Sequence, residues 1–170
     1  FHEGGAWFRK CAGAAIAAAG QALFGRPAFA VVRPPGHHAG PMYGMGFCLL
    51  NNAAIAAAWA LLRVARVAII DWDVHHGNGT QTIFYDSDRV LYCSTHRSPF
   101  YPGTGRPEET GRGAGEGFTV NAPLPPGSES DEYREVFERV IIPSTELFDP
   151  DLIIISAGQD SLADDPLGGM

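Results

Sequence analysis

The sequence predicts an α/β fold in which helices flank a parallel β-sheet on both faces, as in a three-layer sandwich. Its predicted strands, such as RVAIIDWD (66–73) and DLIIIS (151–156), are apolar along almost their whole length, which is typical of strands buried on both faces. These strands alternate with helix-forming segments, which is the pattern of α/β folds. Polar residues follow each strand, and such sheets bind their ligands at the carboxyl ends of the strands.

Local composition predicts each element in turn. Segments rich in alanine favour helices, and Asn51 and Asn52 are suitable N-caps for the second of them. Residues 99–130 are rich in Gly and Pro and predict a long ordered loop region with one short strand, GFTVNAPL. In chain order the other predicted elements are a helix at 11–24, a strand at 28–33 stopped by Pro34 and Pro35, a helix reaching about Ala65, strands at 66–73 and 89–95, a helix at 131–148 and a strand at 151–156.

Composition excludes several classes of protein. The chain of 170 residues is long enough to bury a core. Its net charge of −7, from 19 acidic and 12 basic residues, argues against direct binding to nucleic acids and suits a cationic partner. The three cysteines lack CxxC spacing and predict reduced thiols in an intracellular, cytoplasmic protein. The longest apolar stretch, 53–70, is interrupted by Arg63 and Arg66, so we expect no membrane span.

The densest polar cluster is DWDVHHGNG, directly after an apolar strand. Along an extended chain, Asp71, Asp73 and His75 project from one face. Two carboxylates beside an imidazole predict a divalent cation that cancels their repulsion, and Asp160 is the natural further ligand. A site without sulfur leaves positions for water and substrate, which is typical of catalytic metal sites. Zn²⁺ is the first choice, with Fe²⁺ and Co²⁺ as alternatives.

His37 and His38 form a second cluster, RPPGHHAG, after the first predicted strand. Taken alone, they are as consistent with ordinary hydrogen-bonded loop histidines as with catalysis. Beside a metal site they become candidates for general base and general acid, because imidazole titrates near neutral pH. Each would need an orienting partner for its other ring nitrogen, and Asp71 and Asn78 are available.

The loops at this edge also carry glycine and aromatic residues. The Gly-rich segment 103–117 lacks the spacing and the strand–turn–helix context of a phosphate-binding loop, so we predict a turn-rich loop instead. Phe47, Phe100 and Tyr101 lie in loops at the same edge, where they either cap the core or line a substrate channel.

Six motifs stand in a specific order along the chain: RPPGHHA, GFCLLNN, DWDVHHGNGTQ, FYPGTG, GRGAGEGFTVN and SAG-x-D…DPLGGM. In this order and spacing they resemble the zinc-dependent histone deacetylase family, which shares its fold with arginase. The resemblance covers about residues 4–170. It is to the class II branch and its bacterial relatives, among them acetylpolyamine amidohydrolases.

The resemblance implies a role for each group of polar residues at the predicted site. The implied zinc ligands are Asp73, His75 and Asp160. The implied active-site histidines, with their partners, are His37 with Asp71 and His38 with Asn78. The residues implied to line a channel for an acyl-lysine side chain are Gly46, Phe47 and Tyr101. The implied ligands of a structural potassium ion are the side chains of Asp71 and Ser94 and the backbone carbonyls of Asp73, His75 and Thr95.

The reaction that the resemblance implies is metal-assisted hydrolysis of the acetyl amide of acetyl-lysine in histones or other proteins. Zinc would polarise the acetyl carbonyl and bind a water molecule. His38 would take the proton and return it to the leaving amine, while His37 would tune the electric field. One alternative is hydrolysis of acetylpolyamines or other small amides, and a second is a metal-binding domain without catalytic activity.

Two departures from the family pattern bear on this expectation. Gln159 stands where the family has a phenylalanine before the metal-binding aspartate. In the family, the tyrosine that polarises the substrate carbonyl belongs to a loop downstream of the DPLGGM motif, so the resemblance implies that it would follow Met170. We therefore expect residues 1–170 to be a partial catalytic domain, truncated at both ends and inactive in isolation.

Overall fold

Helices and parallel strands alternate along the chain, which a computed structural model describes from residue 2 to residue 170. The strands are β1 (Val67–Asp71), β2 (Val90–Arg97), β3 (Thr119–Leu124) and β4 (Leu152–Ser156). The α-helices are α1 (His2–Leu23), α2 (Asn52–Ala60), α3 (Asn78–Phe84), α4 (Ser130–Val136) and α5 (Ile142–Phe148). There are also a 3-10 turn at Gly113–Gly115 and a π-helical turn at Phe137–Ile141. No helix within residues 2–170 combines the length and the apolar composition that crossing a membrane requires.

The four strands form one sheet in the order β3-β2-β1-β4, and every neighbouring pair is parallel. The register places Asp71, the last residue of β1, beside Ser94 of β2 and Ser156 of β4. Polar residues of three neighbouring strands therefore lie side by side near the carboxyl edge of the sheet.

Both faces of the sheet are covered by helices, and the predicted α/β fold is confirmed. Successive side chains of a strand point to opposite faces. Ile69 and Tyr92 accordingly pack among the alanines of α1 and α2, whereas Ala68 and Leu91 pack with Phe148 of α5 on the other face. The central strands β1 and β2 are apolar along their length because each face is covered by its own helical layer. At the edge of the sheet, Ile153 and Ile155 of β4 remain about half exposed.

Helix α2 begins where the sequence predicts but ends earlier. The Oδ1 of Asn51 accepts a hydrogen bond from the Ala54 N–H at 3.0 Å, as an N-cap residue should. The helix does not reach Ala65 because the amides of Ala65 and Arg66 are bound by the Asp151 carboxylate, 2.9 Å from each nitrogen. This contact joins the chain just before β1 to the chain just before β4.

The predicted strand at 28–33 is wrong, because this segment joins no sheet. A cavity of about 800 Å³ is lined by the segment on one side and by β4 on the other. The segment therefore faces open space, and no backbone hydrogen bond joins it to β4 as a strand would need. Apolar side chains of the segment are correspondingly exposed, to 76% for Phe29 and 87% for Val31.

The predicted helix at 131–148 is present but is interrupted at its centre by the π-helical turn between α4 and α5. Pro143, in the first turn of α5, has no N–H with which to continue the α-helical ladder. A change of hydrogen-bond spacing at this point is the usual response of a helix to such a gap. The other predicted strands agree with β1, β2, β3 and β4 within two residues at each end.

Candidate active site

The predicted ligands and histidines come from separate loops that meet at the carboxyl edge of the sheet. His37 and His38 lie before α2, Asp73 and His75 lie between β1 and α3, and Asp160 follows β4. His37 Nε2 lies 3.7 Å from Asp73 Oδ2, and the ring centroids of His38 and His75 are 5.9 Å apart. The structure therefore brings all five side chains into one site.

Asp73, His75 and Asp160 form a compact group of candidate metal ligands. One nitrogen or oxygen atom from each lies within 4.8 Å of the others. His75 Nδ1 lies 3.0 Å from Asp73 Oδ1 and 2.9 Å from Asp160 Oδ2. One imidazole and two carboxylates fit a divalent cation that keeps open positions for water and substrate.

Backbone hydrogen bonds, rather than the pleat of a strand, align these three side chains. β1 ends at Asp71, so the prediction that Asp73 and His75 lie along the same strand is wrong. Instead, Asp71 Oδ1 accepts from the Asp73 N–H at 3.2 Å, and Asp73 Oδ1 accepts from the His75 N–H at 2.8 Å. The Val74 N–H donates to Asp160 Oδ1 at 3.0 Å. The two-residue spacing of the motif therefore serves these turn contacts.

The carboxylates control the protonation of His75. Hydrogen bonds to Asp160 and Asp73 raise the pKa of His75 to about 9. Burial raises the pKa of Asp73, but the hydrogen bonds from His75 and the charge of His37 more than offset this and leave that pKa below its usual value. A metal ion requires a neutral imidazole as its ligand, so metal binding at this group is expected to release a proton.

The two tandem histidines have different partners. His37 Nδ1 lies 2.9 Å from Asp71 Oδ2, whereas His38 Nδ1 lies 2.8 Å from the amide oxygen of Asn78. An amide oxygen can only accept, so His38 carries its proton on Nδ1 and presents an unprotonated Nε2. The Asn78 orientation follows from its NH₂ group, which donates to Met45 Sδ at 3.3 Å.

These partners separate the pKa values of the two histidines. Burial lowers the pKa of His37, but the charge of Asp71 and the hydrogen bond to it raise that pKa to about 9 overall. Burial and the neighbouring charge of His37 lower the pKa of His38 to about 4. The rings lie 4.0 Å apart between centroids. Near neutral pH the tandem pair therefore consists of a charged His37 and a neutral His38 side by side.

Aromatic side chains surround the two groups. The Phe100 ring stacks on His75 at 4.9 Å between centroids, with 16° between the planes, and Tyr101 meets the edge of His38 at 5.1 Å. Gly46 has φ +55°, and a Cβ atom there would overlap the His38 ring. Phe47 is 93% exposed beside it. Gly46, Phe47 and Tyr101 are the residues that the resemblance implies for the channel, and Phe100 is the further loop aromatic that the sequence places at this edge, either capping the core or lining a channel.

The residues implied for a potassium ion also lie together. Ser94 is the register partner of Asp71, and both side chains are fully buried. The Oγ1 of Thr95 is buried without a hydrogen-bond partner among residues 2–170. Successive side chains of a strand point to opposite faces, so this hydroxyl lies away from the Ser94 side chain, and the implied ligand at Thr95 is its backbone carbonyl. The buried side-chain oxygen atoms of Asp71 and Ser94 are the donors that a monovalent cation would satisfy.

Gln159 does not disturb the candidate metal group. Its side chain is exposed, and its carbonyl accepts from the Leu162 N–H at 3.3 Å in the turn that follows Asp160. Solvent therefore accommodates the polar side chain that stands where the family has phenylalanine.

Sequence patterns assigned no role to four polar residues that the structure buries or half-buries near this edge: His76, Gln81, His96 and Glu109. Burial and the neighbouring His96 lower the pKa of His76 to about 3. No spacing rule points to the contacts that bring them together, such as His76 with Thr104 and Gln81 with Glu109, because 28 residues separate the members of each pair.

His96 is expected to make stability depend on pH. Burial lowers the pKa of His96, against the opposing effect of Glu109, and its ring also faces His76 at 4.8 Å. In the unfolded chain His96 binds a proton near pH 6.5, whereas in the folded chain its lowered pKa keeps it neutral at that pH. The free energy of unfolding therefore falls as the pH drops below about 6.5. Urea titrations at pH 7.5, 6.5 and 5.5 should show a larger loss for the wild type than for His96→Gln, and equal losses would contradict this origin.

Residues 2–170 match the family model of the histone deacetylase domain. The chain therefore belongs to the histone deacetylase family, and the resemblance predicted from the six motifs is confirmed. Solved structures agree with this assignment. An acetylpolyamine aminohydrolase from Burkholderia pseudomallei superposes with a TM-score of 0.89 at 45% identity, covering 94% of this chain and 47% of that one. The HDA15 HD domain gives 0.86 at 47% identity, with the same coverage of 94% and 47%.

Curated relatives span archaea, bacteria and plants. A probable deacetylase from Archaeoglobus fulgidus is 56% identical over 160 residues, which are 92% of this chain and 44% of the relative. Histone deacetylase 15 from Arabidopsis thaliana is 54% identical over 145 residues, 82% of this chain and 26% of the relative. A histone deacetylase-like amidohydrolase from Pseudomonas aeruginosa is 47% identical over 167 residues, 95% of this chain and 44% of the relative. The chain thus spans less than half the length of each.

Proposed function

We propose that the complete gene product is a metal-dependent deacetylase that hydrolyses the acetyl amide of acetyl-lysine in histones or other proteins. The observation that carries this proposal is the neutral His38, whose unprotonated Nε2 lies in the same site as the candidate metal group. Family membership supports a hydrolase of this type. The experiments below use the complete gene product because the chain spans less than half the length of its relatives.

Asp73, His75 and Asp160 would hold the cation, which we propose to be Zn²⁺, with Fe²⁺ and Co²⁺ as alternatives for the same donors. When bound, it supplies Lewis-acid polarisation of the acetyl carbonyl and of a water molecule. His38 Nε2 takes a proton from the water as it attacks the carbonyl carbon. His38 then delivers that proton to the lysine nitrogen as the C–N bond breaks.

The pair formed by His37 and Asp71 supports this proton transfer. Burial, together with the positive charge of His37 beside it, keeps His38 neutral and therefore able to accept a proton. The same charge stabilises the negative charge that develops on the carbonyl oxygen. We also propose a structural potassium ion held by the side chains of Asp71 and Ser94 and the backbone carbonyls of Asp73, His75 and Thr95, which the full burial of the neighbouring Asp71 and Ser94 side chains supports.

Acetylpolyamines are the second candidate class of substrate. The likeness to an acetylpolyamine aminohydrolase, with a TM-score of 0.89, favours them, as does the net charge of −7, which suits a cationic substrate. A metal-binding domain without catalytic activity is the third candidate. All three candidate functions use the same group of metal ligands. They differ in the substrate that the protein hydrolyses: acetyl-lysine, an acetylpolyamine or neither.

One assay separates these candidates. Zinc-loaded complete gene product is offered a fluorogenic acetyl-lysine peptide and, in parallel, an acetylated polyamine, each with and without a hydroxamate inhibitor. We expect peptide turnover that the hydroxamate abolishes. Faster turnover of the polyamine than of the peptide would show that small acetylated amides are the preferred substrates. Turnover of neither substrate would refute a deacetylase.

We further propose that the protein works in the reducing cytoplasm. The three cysteines of the chain are all free and buried. Burial raises the pKa of the Cys48 thiol to about 11 and that of Cys93 to about 12. Such thiols remain protonated and unreactive, which supports a packing role in a compartment where disulfides are rare.

A further inference from the structure

A polar network lies behind the candidate active site, on residues that have no role in the proposed reaction. Its centre is Gln81 of α3. The Nε2 of Gln81 donates to Glu109 Oε2 at 2.6 Å. Its Oε1 accepts from His76 Nε2 at 2.9 Å and from Asn121 Nδ2 at 2.8 Å. The network therefore joins the loop after β1, helix α3, strand β3 and the loop after β2.

Glu109 anchors the loop after β2, here called the aromatic loop (residues 98–109), to this network. Its Oε2 accepts from the Gly105 N–H and its Oε1 from the Arg106 N–H, both at 3.1 Å. Hydrogen bonds to an ionised carboxylate are stronger than those between neutral groups. Together with Gln81, three donors converge on one carboxylate and define the path of the loop.

The directions of the hydrogen bonds define the tautomer of His76. Because the NH₂ group of Gln81 donates to a carboxylate, the oxygen that faces His76 can only accept, so His76 carries its proton on Nε2. His76 Nδ1 then accepts from the Thr104 hydroxyl at 2.7 Å. A continuous set of matched bonds therefore runs from Thr104 in the aromatic loop, through His76 and Gln81, back to Glu109 in the same loop.

Gly105 is held between two buried histidines. Its φ is +87°, and a Cβ atom at this position would overlap the rings of both His76 and His96, so only glycine fits. His96 Nε2 also donates to the Gly105 carbonyl at 2.9 Å. The backbone of the aromatic loop is thus confined at the point where the network holds it.

The first half of the aromatic loop reaches the candidate active site. Its Phe100 ring stacks on His75, and its Tyr101 ring meets His38. Thr104 follows Tyr101 by only three residues. A displacement of the loop where the network holds it would therefore be transmitted to both rings.

We propose that Gln81, Glu109 and His76 are positioning residues that hold the aromatic loop, and with it the aromatic walls of the acyl-lysine channel, in place. This rests on the proposed function, because it concerns substrate binding at the same site. His38 is held independently by its bond to Asn78. Loosening the aromatic loop therefore weakens substrate binding and leaves the chemical step and the metal content nearly unchanged.

The first test is Glu109→Ala in the zinc-loaded complete gene product. We expect KM for the acetyl-lysine peptide to rise about tenfold, the effect of losing charge-assisted hydrogen bonds, with kcat within about threefold of the wild type. Zinc content should not change. The matched control is Glu108→Ala, which removes an exposed neighbouring carboxylate and should keep the KM of the wild type.

A second pair of variants tests the network without removing a charge. Thr104→Val nearly preserves the shape of the side chain but removes the hydroxyl that His76 accepts from, so KM should rise. Thr104→Ser keeps the hydroxyl and should restore most of the binding. A purely structural role for residue 104 would not produce this split between valine and serine.

Hydrogen exchange of the amides of residues 104–106 provides a readout that needs no substrate. We expect faster exchange in Glu109→Ala than in Glu108→Ala. Unchanged exchange, or faster exchange with an unchanged KM, would overturn the proposal. If the wild type hydrolyses neither peptide nor polyamine, the proposed function fails, and the role in substrate binding fails with it. Exchange still decides whether Glu109 holds the aromatic loop.

Discussion

Asp73→Ala in the complete gene product is expected to abolish stoichiometric zinc binding and, with it, turnover. The substitution removes one of the two carboxylates within 4.8 Å of the other candidate ligand atoms. It also removes the oxygen that accepts from the His75 backbone, so the imidazole loses its alignment. Loss of an outer partner of a metal ligand already costs about 10- to 100-fold in affinity, and loss of a ligand should exceed that. Metal analysis after dialysis provides the measurement.

The matched control is Asp164→Ala, which removes an exposed carboxylate from the loop that carries Asp160. This variant should retain one zinc ion per chain, and circular dichroism should match the wild type for both proteins. Full metal occupancy in Asp73→Ala would show that the ligands are other residues.

His38→Ala is expected to keep its metal and lose turnover. The ring is not among the three candidate ligands, but it carries the free nitrogen that accepts and returns the proton in the proposed reaction. General acid–base catalysis contributes about 10²- to 10⁴-fold, so kcat should fall within that range. Steady-state kinetics and metal analysis on the same preparation give both numbers.

The kinetic pattern distinguishes loss of chemistry from loss of binding. A fall in kcat with little change in KM is expected for His38→Ala, the opposite of the pattern expected for Glu109→Ala. Turnover at the wild-type rate would place the general base on another residue, and His37 would be examined next.

Features that arise from short-range patterns were predictable from the sequence. The apolar strands correctly predicted a parallel sheet whose central strands are buried on both faces, and Asn51 correctly predicted the start of α2. The clusters at the ends of the strands predicted that His37, His38, Asp73 and Asp160 would lie together. For Asp73 and Asp160 the reason is that parallel strands align their carboxyl ends whatever the detailed path of the loops. His37 and His38 follow no strand of the sheet and reach the same place through their contacts with Asp71 and Asn78.

Features that depend on a distant partner were not predictable. The segment at 28–33 has the composition of a strand, but pairing depends on what lies beside it, and the neighbouring space is a cavity. Likewise, α2 ends early because of the Asp151 carboxylate, which is 86 residues from Ala65 in the sequence. His76 and Thr104 are separated by 28 residues. No local rule connects such pairs.

The position of Asp71 at the end of β1 also favours the correct register of the sheet. In the observed register, Asp71 lies beside Ser94 and its carboxylate meets His37. A slip of one residue would turn the Asp71 side chain to the opposite helical layer, where apolar groups such as Phe148 pack. An unpaired carboxylate there would cost several kcal/mol. Asp71 therefore also helps to define the register of the sheet. A β1 strand paired one residue out of register would be less stable, because its Asp71 carboxylate would be buried without a partner.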